Sequence, residues 1–247
     1  MAAVFVRSDR AEQVNACLAT VMDPELDESV TELGFITDVE LQEDGTVRIG
    51  FRLPTYWCAA NFAFLMADDM RLVVQALPWV TKVEVLLHDH MYAEAINQGV
   101  TSGAGFQAAF GVAAEGGLEA LRRTFELKAF QRRQEALLQY LIGIHHLPES
   151  LVQLDINSLR TLSLDAEGEK LVERYLERRF LVGGAALAFV DIKGQPIAPT
   201  SLSDHLRDLR SIGVNAEFNG VLCRGLLAVR DKDIGTKPIH FVPYRPA

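Results

Sequence analysis

Cys58 stands where a loop, Leu53-Pro54-Thr55-Tyr56-Trp57-Cys58, gives way to an apolar-periodic helix. A thiol at a helix N-terminus feels the positive end of the helix dipole, which favours the thiolate. Thiolate binds soft metals and attacks electrophiles, so metal handling or sulfur chemistry is what this position offers. The plain alternative is a small buried residue at a helix start. Thr55 either supports the loop or packs, and Trp57 either shields the thiol or packs. Asp23 and Glu25 flank Pro24. Their carboxylates could ligate a metal, or Asp23-Pro24 simply stops one helix and Glu25 opens the next turn. His88-Asp89-His90 ends a strand pattern. Residues two apart on a strand share a face, so His88 and His90 could converge on one ion, with the Asp89 carboxylate between them in sequence. Imidazole and carboxylate suit iron or zinc, and Cys58 would complete the site if the fold brings it near. The alternative is a pair of exposed or hydrogen-bonded histidines. Ser29 and Glu32 read as a capping box. His145-His146, near Glu149, reads as a helix end before Pro148.

Around these residues the first unit reads as α-β-β-α-β. Val14, Cys17, Leu18 and Val21 recur at helical spacing over residues 11–22, placing Cys17 in the core. Val39 and Leu41 alternate with polar residues; after the Asp44-Gly45 turn Val47, Ile49, Phe51 and Leu53 do the same, which predicts a hairpin with one buried face. Phe62, Leu65, Met66, Val73 and Leu77 mark a helix starting near Cys58, and Val83, Val85 and Leu87 a third strand. Residues 99–117 are rich in Gly and Ala and read as an irregular or partly helical connection in which Phe106 and Phe110 have something to bury. Residues 118–142 predict a long helix and 165–180 another. Leu187 and Phe189 suggest a strand, and Leu202, Leu206, Leu209 and Ile212 a helix closed by Gly213. Asn219-Gly220 reads as a hairpin turn before a strand over 221–229. That strand would put Cys223 on one apolar face with Val221, Leu227 and Val229. The fold class is α+β: a small N-terminal α-β-β-α-β domain (1–98), a Gly/Ala-rich connection (99–117), and a helical plus small α+β extension (118–247).

With 247 residues, 49% hydrophobic and 23% charged, the composition is that of a soluble globular chain. A net charge of −9 argues against nucleic acid or an anionic membrane as partner. Basic residues cluster at Arg122-Arg123, Lys128 and Arg132-Arg133, read as a solvated helix face or a dock for an acidic partner. Three cysteines without a C-x-x-C pair make neither a disulfide framework nor a zinc-finger spacing. With no signal-peptide or membrane-span pattern, the expectation is a reducing, cytoplasmic setting. Phosphate-loop, dinucleotide and nucleophile-elbow motifs are missing.

Asp23-Pro24-Glu25, the segment Ser29-Val30-Thr31-Glu32-Leu33-Gly34-Phe35-Ile36, the cysteine-bearing loop and the apolar run over 77–85 occur in that order. Together they resemble the metal–sulfur cluster assembly factors of the SufT/PaaD type, long catalogued as domain of unknown function fifty-nine, over roughly the first two-fifths of the chain. Two positions depart from that pattern: Ala59 follows the cysteine where proline is common, and His88-Asp89-His90 replaces a W-D-P-P strand end. The resemblance implies a non-enzymatic maturation factor that holds iron or an iron–sulfur cluster transiently on Cys58. Asp23, Glu25, Thr55 or the His88, Asp89, His90 group would be auxiliary, and the client would be a metalloprotein. The PaaD-like branch points to a multicomponent di-iron monooxygenase component as that client. Two other readings stand beside it: an adaptor that grips a client without metal, and a thiol enzyme with Cys58 as nucleophile and His88 or His90 as base. The sequence leaves a homo-oligomeric state open.

Overall fold

The computed structural model describes residues 2–111, 117–184, 186–234 and 240–243. The chain is α+β and forms two compact units, Met1–Arg122 with Gly220–Ala247, and Arg123–Asn219. The division does not fall within the Gly/Ala-rich stretch, and the C-terminal segment returns to the first unit.

The first unit opens with α1 (Ala2–Leu18). Val14 and Leu18 are fully buried, and the expected helix stops four residues early because residues 19–21 tighten into backbone turns. Strands β1 (Ile36–Leu41) and β2 (Thr46–Arg52) form the hairpin read from the alternation. Its turn requires Gly45: φ is +86°, and a Cβ there would sit 2.6 Å from the Trp79 carbonyl. Val47, Ile49 and Phe51 point into the core, while Arg48, on the opposite face of β2, pairs with Glu84 and Glu40 on the neighbouring strands. Next come α2 (Ala60–Gln75) and β3 (Lys82–His88), the latter parallel to β2. Ala63, Phe64, Met66, Ala67, Met70 and Val74 of α2 enter the same core.

Two helices, α3 (Ala93–Ser102) and α4 (Gly105–Phe110), occupy the described part of the Gly/Ala-rich connection. Gly99 permits their close approach, since a Cβ would lie 2.7 Å from that of Ala109. Phe106 and Phe110, with ring centroids 4.6 Å apart, reach Phe64 and Tyr92 and pack half-buried against the core, beside the buried Val100.

A long helix, α5 (Gly117–Gly143), leads into the second unit. It is followed by short α6 (Pro148–Leu151) and α7 (Ile156–Arg160), then α8 (Ala166–Arg179), whose N-cap Asp165 accepts from the Gly168 N–H. The expected strand near Leu187 and Phe189 is reduced to the isolated bridges Asp155–Leu187 and Val190–Pro196. Phe130, Leu137, Leu141, Tyr175 and Phe189 form this unit's core around a buried polar network. Gln134 donates to the Tyr175 hydroxyl and the Val190 carbonyl and accepts from His205 Nε2, and Tyr175 donates to Ala188 O.

The predicted hairpin at Asn219-Gly220 and strand over 221–229 are corrected: residues Leu202–Ile234 form one helix, α9. A mid-helix glycine costs about 1 kcal/mol against alanine, less than the packing of an amphipathic face provides. Over its C-terminal part Gly220, Cys223 and Leu227 turn inward at helical spacing while Val221, Leu222 and Val229 are exposed. The strand β4 (His240–Pro243) then adds to the sheet parallel to β1, giving the order β3-β2-β1-β4.

Candidate functional site

The loop between β2 and α2 presents Cys58 two residues ahead of the helix. Ala59 occupies the N-cap with extended ψ and no side-chain cap. Cys58 is half-buried, and its Sγ lies 3.1 Å from Thr55 Oγ1, a hydrogen bond in which the hydroxyl can donate to the sulfur. The loop's tip faces water: Tyr56 is 56% and Trp57 72% exposed, so Trp57 is not packed into the core. Met91 and Tyr92 are also exposed, and the Met91 N–H donates to Tyr56 O, joining the two loops.

His88, Asp89 and His90 do not share a face. Asp89 adopts a left-handed φ of 50°, which breaks the strand alternation immediately after β3. His88 is exposed, and Asp89 pairs with Arg52 at 3.3 Å. His90 turns inward to 5% exposure. Its Nδ1 accepts from the Tyr92 N–H at 3.1 Å, which places the proton on Nε2, and Nε2 donates to Cys58 O at 2.8 Å. Both ring nitrogens are therefore engaged by backbone, and His90 fixes the cysteine loop from beneath.

Asp23 is also committed locally. Its Oδ1 accepts from the N–H groups of Glu25 and Leu26, closing a turn in which Asp27 takes φ 54°. Ser29 Oγ accepts from the Thr31 backbone N–H and shares a hydrogen bond with the Thr31 hydroxyl, a serine turn in place of the capping box. Thus Pro24 and Asp23 shape the acidic turn, and Glu25 is carried on it, half-buried. Cys17 packs against the core, and burial pushes its thiol up.

Cys223 was legible only as a core residue. On α9 it is half-buried and packs against the same core as Cys58. Burial raises its thiol, with Asp23, Cys58 and Glu25 adding to the shift and Arg224 opposing it. Arg224, the next residue, pairs with Glu28 of the acidic turn at 2.6 Å. The signal that could have found it is the helical spacing of residues 220, 223 and 227. The three cysteines are free thiols, and among the described residues no group of three or more His, Cys, Asp or Glu side chains is arranged to enclose a metal ion.

Three arginines of the basic run are engaged by protein groups, while Lys128 is exposed. Arg122 makes two 2.7 Å bonds to Asp69, Arg123 donates to Leu181 O, and Arg133 is 5% exposed, donating to Arg174 O and Glu177. Among the described residues no helix is long and apolar enough to cross a membrane.

A family described as iron-sulfur cluster assembly protein matches residues 11–86. An uncharacterized protein of Methanocaldococcus jannaschii is 33% identical over 87 residues, 35% of this chain and 90% of that protein. The Fe-S protein maturation auxiliary factor YitW of Bacillus subtilis is 32% identical over 74 residues, 30% of this chain and 71% of that protein. The chloroplastic Fe-S cluster assembly factor HCF101 of Oryza sativa subsp. japonica is 30% identical over 79 residues, 32% of this chain but 15% of that protein. No solved structure matches. The matched region contains the acidic turn, the hairpin, the Cys58 loop and most of β3, and the chain belongs to the iron–sulfur cluster assembly family.

Proposed function

We propose that the protein is a non-enzymatic maturation factor that holds iron or an iron–sulfur cluster on Cys58 and passes it to a client metalloprotein. The observation that supports this is a half-buried thiol positioned by Thr55 and by the His90–Cys58 carbonyl bond, without a closed ligand cage among the described residues. A four-ligand cage retains its metal, whereas a thiolate with open positions can release it. The exposed Tyr56, Trp57, Met91 and Tyr92 beside it supply the aromatic and methionine surface that protein interfaces favour. A component of a multicomponent di-iron monooxygenase is the client that the PaaD-like resemblance favours. Free thiols fit a reducing compartment such as the cytoplasm.

The test is anaerobic reconstitution of wild type and Cys58→Ala with iron and sulfide, followed by metal and sulfide analysis. Cys58-dependent loading that can be transferred to an apo-client is the expected result. Equal, negligible loading in both proteins would sink the proposal and favour a metal-free adaptor.

A further inference from the structure

The second unit carries a groove that the reading of Cys58 does not use and that lies outside the residues matched to the family. It has a volume of about 520 Å³ and opens to solvent. Its floor is apolar: Leu159 of α7, Leu162 and Leu164 of the connection, and Val172 and Leu176 of α8. Leu159 and Val172 belong to the core, while the other three are half-buried and keep apolar surface in contact with water. Along α8 runs a row of exposed carboxylates, Glu169, Glu173 and Glu177, spaced at i, i+4 and i+8. Like charges at that spacing destabilise a helix, and a cationic partner relieves the repulsion. Glu177 is paired with Arg133 at 2.6 Å, whereas the Glu169 and Glu173 side chains make no ion pair among the described residues. Both walls are set in advance. Asp155 caps α7 through the Asn157 and Ser158 N–H groups, and Asp165 caps α8 while accepting from the Tyr140 hydroxyl at 2.6 Å. Walls fixed in this way lose little freedom when the groove is filled.

We propose that this groove docks a partner protein through an amphipathic helical segment, its apolar side chains seated on the leucine floor and its lysines or arginines facing Glu169 and Glu173. The occupant follows from the charges and the floor together. A polyamine answers the carboxylates but has no branched side chains for the floor. A neutral lipid chain leaves the carboxylates unanswered, and an acidic segment is repelled by the row. Helix-in-groove recognition presents apolar anchors at i, i+3, i+4 and i+7, and a groove of this volume takes a few of them. A short contact with charges at its rim suits transient recruitment more than a permanent complex. The docking needs no metal and stands or falls separately from Cys58.

The probe is a fluorescein-labelled three-turn peptide with leucines at those positions and lysines along one edge, titrated into the full chain at low and high salt. Its twin carries glutamates in place of the lysines. Wild type should bind the lysine peptide and ignore the twin. Glu169→Gln with Glu173→Gln should weaken the lysine peptide about tenfold at low salt and little at high salt, where exposed charges are screened. Glu169→Lys with Glu173→Lys should exchange the preference. Methyl NMR of unmodified protein gives a readout that needs no substitution: the lysine peptide should shift Leu162, Leu164, Val172 and Leu176. No binding of the lysine peptide, or binding that the Glu169 and Glu173 variants leave unchanged, overturns the proposal. Carboxylate-dependent binding without methyl shifts at the floor, with spermine competing equally well, overturns it too and reduces the row to a general attractor of cations. Concentration-dependent shifts of the same methyls without peptide would assign the groove to a second copy of this chain and overturn the separate partner.

Discussion

Cys58 owes its setting to residues that touch its backbone more than its sulfur. His90 spends both ring nitrogens on the Tyr92 N–H and the Cys58 carbonyl, so the structure gives it a positioning role. Replacing it with alanine leaves two backbone groups without their partner, and stability should fall by at least about 1–3 kcal/mol in urea denaturation. Iron loading should weaken, yet pulsed EPR of the loaded wild type should show no imidazole nitrogen coupled to iron; a strong coupling that disappears in His90→Ala would make His90 a ligand and refute the positioning role. The sequence could not reveal this arrangement, because one left-handed residue, Asp89, sends His88 and His90 in different directions. A second histidine supports a pH prediction. Burial holds the His205 pKa below its ordinary value, although Asp191 and Asp208 pull it back. As pH falls below about 6.5 the unfolded chain takes up a proton that the folded chain does not, so stability falls with pH. His205→Gln, which keeps a donor for Gln134, should flatten this decline, measured as hydrogen exchange of α8 amides between pH 7 and 5.

Elements of the first unit were legible where one periodicity ran unopposed. The alternation around Asp44-Gly45 could only be a hairpin, and the apolar spacing after Cys58 could only be a helix. Residues 219–229 were ambiguous: Val221, Cys223, Leu227 and Val229 fit a two-residue repeat, while Gly220, Cys223 and Leu227 fit a helix face, and Asn-Gly tipped the reading toward a turn. Packing of the inner face decides for the helix. Gly225 offers a clean check, since it lies inside α9, is exposed, and a Cβ there would meet nothing within 4 Å. Gly225→Ala should therefore stabilise the protein by about 0.5–1 kcal/mol, seen as a higher denaturation midpoint. A loss of stability would contradict a helix at this position. By contrast, Gly45→Ala should destabilise by more than about 1 kcal/mol, because it forces a side chain into a left-handed φ and against the Trp79 carbonyl.

At the scale of the whole chain, the ordered motifs of the first two-fifths carried the family reading, but nothing in them announces that the C-terminal segment rejoins their unit. Pairings between residues so far apart in sequence leave no local pattern; β1 meets β4 across about two hundred positions. That pairing has a consequence for solubility. β4 covers the outer edge of β1, and without it Ile36–Leu41 would present a row of unpaired N–H and C=O groups. Removing residues 235–247 should leave α9, with Cys223, in place and preserve Cys58-dependent metal loading. The shortened protein should associate with rising concentration as bare β1 edges pair, despite a net charge of −9 in the full chain that opposes self-association. Sedimentation velocity over a hundredfold concentration range distinguishes the outcomes. Association confined to the shortened chain supports β4 as an edge cover. Equal sedimentation of the two proteins at every concentration would show that β1 needs no such protection.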